Sequence, residues 1–172
     1  TIITQLMTTK ISFIVICFAL VLSSCLKPQE FPLEPIIEFD SFSVMRDSAV
    51  LTISFTDGDG DIGYKESDTT GNFAPDKLYH HNLFLEYYEK DDALGWVRGK
   101  DLSGNDISFL YRVPYLTPNG NNTALKGKIE VTLEPSYFNP LSSQSDTVMY
   151  KITLVDRSLT ESNKVESTVI TR

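Results

Sequence analysis

The chain has 172 residues, 23 of them acidic against 15 basic, for a formal net charge of −8, and 41% are hydrophobic. That suffices for one domain with a real core, while the acidic balance excludes a basic nucleic-acid footprint and direct electrostatic docking on anionic lipid. Both cysteines, Cys17 and Cys25, lie in the first 25 residues, so the rest of the chain holds neither a disulfide framework nor a thiolate metal site.

The run "ISFIVICFALVL", Ile11 to Leu22, is almost wholly apolar, preceded by Lys10 and followed by small residues. It is short for a membrane-spanning helix, which takes about 20 residues, and has the layout of a secretory signal peptide. "MTTK", Met7 to Lys10, makes a neater start to such a segment, which places Thr1 to Leu6 upstream of it. The stretch "LSSC", Leu22 to Cys25, then resembles the lipobox of bacterial lipoproteins, with Ser24 where glycine or alanine is commoner. The resemblance implies removal of residues 1–24 and acylation of Cys25 as the new N-terminus. The alternative is an ordinary signal peptide with an incidental cysteine. Loss of Lys10 takes the net charge from −8 to −9. Two or three acyl chains anchor firmly where one binds only marginally. Leu26 stands where an aspartate would imply inner-membrane retention, so the resemblance implies the outer membrane of the cell envelope, with the periplasmic or surface face left open.

"LKPQEFPLEP", Leu26 to Pro35, has three prolines in ten residues. Such a segment favours extended polyproline geometry and would act as a semi-rigid tether of roughly 30 Å. Residues 25–35 are therefore expected to be anchor and tether, and residues 36–172 a single β domain.

From Ile36 onward the apolar period is two. Ala49 to Thr56 alternates Leu51, Ile53 and Phe55 against Val50, Thr52 and Ser54; Asn82 to Glu89 is a further strand. Ile107 to Val113 puts Ile107, Phe109, Tyr111 and Val113 on one face, and Leu125 to Glu134 buries Ile129, Val131 and Leu133. Thr147 to Val155 offers Val148, Tyr150, Ile152 and Leu154, and "KVESTVITR" closes the chain as a last strand. Ile36 to Val44 and Leu94 to Arg98 are weaker candidates. About seven or eight short strands without a helical period predict an all-β, antiparallel sandwich.

"DTVMY", Asp146 to Tyr150, resembles the D-x-A-x-Y stretch of immunoglobulin and fibronectin-III sandwiches, with Val148 in place of alanine. There the tyrosine hydroxyl bonds back across a corner. An Ig-like sandwich is thus implied, though not an antibody-type domain, which needs a cysteine pair and a core tryptophan. Lipobox, proline-rich tether, "DGDGDIG" and "VDRSLTESN" together resemble small lipoproteins of two-membrane bacteria, a group with no defined activity to carry over.

"FTDGDGDIG", Phe55 to Gly63, sets three aspartates in five positions. Two full charges about 6 Å apart cost roughly 0.7 to 3 kcal/mol. Calcium wants six to eight oxygen ligands, and acidic side chains at alternate positions supply them. Asp57, Asp59 and Asp61 have that spacing, and Gly58, Gly60 and Gly63 permit a tight wrap. Ile62 stands where an EF-hand requires glycine, Asp68 where it requires glutamate, and no helices flank the loop, so this is not an EF-hand. In an Ig-like fold the loop after the second strand and "VDRSLTESN" emerge at one end, which makes Asp156 a candidate fourth ligand. The rival account is a solvated acidic turn balanced by Arg157 or Lys65.

His80 and His81, read as strand neighbours, would point to opposite faces and could not share a metal. No catalytic motif stands out, so an enzyme is not expected. Tyr87, Tyr88, Trp96, Tyr111, Tyr115 and Tyr137 would serve glycan capture if several lay exposed on one face; otherwise they fill the core. "TPNGNNT", Thr117 to Thr123, is expected to be the most mobile loop. The expectation is a monomeric, lipid-anchored binding or structural module of the envelope, with a calcium-stabilised loop and a glycan or envelope protein as partner. The alternatives are a glycan-binding lipoprotein and, more remotely, a small envelope hydrolase.

Overall fold

The computed structural model describes residues 30–118 and 123–172. The apolar segment, the lipobox with Cys25, the first part of the tether and the tip of the Thr117–Thr123 loop lie outside the described residues. Nine strands follow: β1 (Ile36–Met45), β2 (Ser48–Asp57), β3 (Leu83–Asp91), β4 (Gly95–Arg98), β5 (Ser108–Tyr111), β6 (Leu125–Leu133), β7 (Thr147–Leu154), β8 (Val165–Glu166) and β9 (Ile170–Thr171). Two short 3₁₀ turns, Gly71–Phe73 and Leu78–His80, lie between β2 and β3. Among the described residues no helix is long and apolar enough to cross a membrane.

One antiparallel sheet has the order β1-β2-β6. In the other, β3 and β7 pair centrally, β4 and β5 share the free edge of β3, and β8 and β9 share the free edge of β7. Each shared edge acts as one interrupted strand, giving the three-plus-four sandwich of the Ig-like class. The single last strand expected from the sequence is split by Ser167. Its Oγ accepts the Tyr150 N–H at 3.0 Å while its own N–H donates to the Tyr150 carbonyl at 2.9 Å. A hydroxyl thus replaces a ladder carbonyl, and regular pairing stops.

Alternation fills the core as expected. Leu51, Ile53 and Phe55 of β2 face Leu83, Leu85 and Tyr87 of β3 and Val148, Tyr150, Ile152 and Leu154 of β7, all buried. A bulge between Phe39 and Ser41 shifts the phase of β1, so that Phe39 and Phe42 both turn inward. Phe42 stacks on Tyr150 at 5.6 Å between centroids. The Tyr150 hydroxyl donates to the carbonyl of Tyr137, in the connection before β7. This is the corner bond that the "DTVMY" resemblance implies.

Candidate metal centre

Asp57 is the last residue of β2 and stays in phase with Ala49, Leu51, Ile53 and Phe55. The pleat therefore turns its side chain toward the interior, where it is fully buried. The chain then wraps tightly. A Cβ on Gly58 would meet the carbonyl oxygens of Phe31 and Pro32 at 2.5 and 2.6 Å. Gly60 has φ +75°, and a Cβ there would meet the Thr123 carbonyl at 2.0 Å. Ile62 drops back into the core, and its carbonyl accepts the Leu116 N–H at 3.1 Å. That burial explains an isoleucine in an otherwise acidic, glycine-rich loop.

The wrap gathers the three carboxylates. Asp57, Asp59 and Asp61 each place an oxygen within 4.8 Å of the others'. Oδ2 of Asp57 accepts the N–H groups of Gly60 and Asp61 at 2.8 and 3.0 Å. Oδ2 of Asp61 accepts the Ser158 N–H at 3.1 Å and its hydroxyl at 2.8 Å. The other oxygens, Oδ1 of Asp57 and Oδ1 of Asp61, are buried without a hydrogen-bond partner. Asp59 is exposed.

Asp156 is brought to the same end, since the Arg157 N–H donates to the Asp61 carbonyl at 3.2 Å. Asp156 itself is buried, its Oδ1 accepts the Thr160 N–H at 2.7 Å, and it lies outside the 4.8 Å group. Burial, followed by the Asp61 and Asp59 charges, raises its carboxyl above the usual range against the Thr160 hydrogen bond. The Asp57 carboxyl is pushed up from 3.8 to about 6, chiefly by burial and then by the Asp59 and Asp61 charges, against the two backbone N–H bonds. The cluster therefore carries uncompensated negative charge in a partly dry site.

Positive groups nearby are directed elsewhere. Arg157 pairs with Asp68 through Nε and Nη2 and lies over the Tyr115 ring at 5.4 Å. The Lys65 ammonium lies over the same Tyr115 ring, 4.9 Å from its centroid. Arg112 donates to the carbonyls of His80, Lys65 and Asp68. Among the described residues, no ion pair reaches Asp57, Asp59, Asp61 or Asp156. Tyr64 adds a buried hydroxyl without a hydrogen-bond partner, and it feels the charges of Asp156 and Asp61. Sequence spacing did not single out Tyr64 or Ser158, because nothing local ties them to the aspartates, and it placed Asp68 only at an EF-hand position and not as the partner of Arg157.

The aromatic residues do not form one exposed row. Tyr87 and Tyr137 are buried in the core, and Tyr111 is half-buried, its hydroxyl donating to the Thr132 carbonyl at 2.8 Å. Tyr88 and Trp96 lie on the outer face of the larger sheet under cationic side chains: Arg98 and Lys151 approach Tyr88 at 5.3 and 5.0 Å, and Lys90 approaches Trp96 at 5.2 Å. The histidines also differ from expectation. They precede β3, His80 closing a 3₁₀ turn, so strand alternation does not apply and their rings meet edge to face at 5.0 Å. His80 Nδ1 lies 3.0 Å from the Phe73 carbonyl.

No protein-family model matches this chain, and no curated protein or solved structure is significantly similar to it.

Proposed function

We propose that this protein is a lipid-anchored, non-enzymatic module of the bacterial envelope whose loop end binds calcium through Asp57, Asp59 and Asp61, with Asp156 as a charged neighbour. One observation carries the cation: two carboxylate oxygens, Asp57 Oδ1 and Asp61 Oδ1, are buried without a partner inside a three-aspartate group. Leaving such atoms unsatisfied costs about 1–3 kcal/mol each, more for charged groups, and a divalent ion removes the cost and the mutual repulsion together. Hard oxygen donors without nitrogen or sulfur suit calcium or magnesium. The flexible mix of carboxylates in a glycine-rich wrap favours the larger ion. The anchor is supported by the lipobox resemblance at Cys25.

The test is thermal unfolding of the protein in chelator and in millimolar calcium. An ion at about ten times its dissociation constant adds roughly 1.4 kcal/mol, a rise of about 3–6 °C for a domain of this size. An unchanged midpoint overturns the cation reading. Fractionation tests the anchor: Cys25→Ser should release the protein from the membrane pellet, and equal pelleting of both forms overturns that part.

A further inference from the structure

We infer that the ion held by the acid loop faces the bilayer in which Cys25 is acylated, and that a phosphate oxygen of the lipid headgroups completes its ligand shell. The inference rests on the proposed calcium site and on acylation of Cys25.

The position of the loop relative to the anchor comes first. The backbone of Phe31 and Pro32 packs directly on Gly58, so the chain arriving from the anchor meets the domain at the acid loop itself. Six residues lead from Cys25 to Phe31. Fully extended, they reach about 20 Å. The opposite end of the sandwich, at Asp47, is a ten-residue strand away from Asp57, about 33 Å further. The acid loop is therefore on the anchor side of the domain.

The asymmetry of the site comes second. Asp57 is buried and Asp59 is exposed. An ion would be gripped from the core side and open on the other. Of the six carboxylate oxygens, Asp57 Oδ2 and Asp61 Oδ2 already accept hydrogen bonds, which leaves four against the six to eight calcium takes, so its open side takes outside oxygen. Leu33, 68% exposed and two residues from Phe31, adds an apolar side chain at the same end. The chain's charge of −8 opposes an anionic surface, so the contact depends on the ion.

The test uses the chain with Cys25→Ser, which keeps every other residue. It is sedimented with vesicles of phosphatidylethanolamine and phosphatidylglycerol, in chelator and in millimolar calcium. The apolar run Ile11 to Leu22 sets a calcium-independent background, so the increment is the readout. Calcium should raise apparent vesicle affinity about tenfold. Adding Asp59→Asn should abolish the increment. Adding Leu33→Glu should lower it while the calcium-induced rise in unfolding temperature persists. A calcium-induced thermal shift with no vesicle increment overturns the headgroup contact and leaves the calcium site standing. Absence of both overturns the contact together with the site on which it rests. An increment that survives Asp59→Asn also overturns the inference, because the ion then bridges from elsewhere.

Discussion

Arg157 grips Asp68. Its Nε and Nη2 donate to the two carboxylate oxygens at 3.1 and 3.2 Å, across 89 residues of sequence. The guanidinium nearest in sequence to Asp156 is thus committed to a fifth acid and does not neutralise the cluster at Asp57. Arg157→Gln should destabilise the fold by about 1–2 kcal/mol, the worth of a partly exposed charge-assisted pair. The calcium-induced thermal shift should survive the substitution. If instead Arg157→Gln raises the calcium response severalfold, the arginine was competing with the ion for the aspartates.

Asp57 makes the metal-free protein sensitive to pH. Its carboxyl titrates near 6 in the folded chain against an ordinary value of 3.8. Between those values the folded state binds more protons than the unfolded one, so stability falls as pH rises through the window. The full loss is roughly 3 kcal/mol above pH 6, and Asp156 shifts in the same direction. Glu86, Asp91, Asp101 and Asp106 are held low and act with the opposite sign, mainly below pH 5, while His81, pushed below its ordinary value by burial and by His80 and Arg112, opposes the trend within the window and makes it shallower. Melting in chelator should therefore be higher at pH 5 than at pH 7, and calcium should flatten the difference. A melting point that climbs steadily from pH 5 to 7 in chelator contradicts this account.

Asparagine and alanine at position 57 should behave differently. Asp57→Asn removes a buried charge and keeps an oxygen for the Gly60 and Asp61 N–H groups. In chelator at pH 7 it should be as stable as the parent or more so, and blind to calcium. Asp57→Ala strands both N–H groups and should lose about 1–3 kcal/mol. Denaturant unfolding of the two variants, with and without calcium, checks both statements.

Tyr150 ties β7 to the preceding connection. Its ring is fully buried and its hydroxyl donates to the Tyr137 carbonyl. Tyr150→Phe keeps the ring packing and leaves that carbonyl without its donor, at a cost of about 1–3 kcal/mol. Calcium affinity, read at the other end of the sandwich, should be unchanged. A variant that loses calcium binding at full stability would place Tyr150 in a different role.

Gly60 should tolerate no side chain. Its φ of +75° is unfavourable for alanine, and the added Cβ would lie 2.0 Å from the Thr123 carbonyl. Gly60→Ala should lower stability by several kcal/mol, about 1–2 of them from the backbone conformation alone. Because the wrap at Gly60 also brings Asp61 back toward Asp57, calcium binding should weaken with it. Isothermal titration of the folded fraction separates the two losses.

The sequence by itself determined the sandwich, the inward faces and the carboxylate spacing, because these are local properties of a period-two chain. Leu51, Ile53 and Phe55 count inward, and the same count carried one step further turns Asp57 inward at the end of β2. The corner bond of Tyr150 was legible for the same reason, as a short motif at one strand start. Partner choice was decided only by the tertiary structure. Arg157 could have faced Asp57 or Asp68, and Ser158 meets Asp61 across 97 residues because two loops land side by side at one end of the sandwich. Asp156, a candidate fourth ligand from the sequence, is buried with its Oδ1 accepting the Thr160 N–H, an arrangement that depends on the loop after β7. Tyr87 and Tyr137 are core residues because the sheets close over them. Where separate loops come to rest depends on how two sheets pack, and no local periodicity encodes that distance.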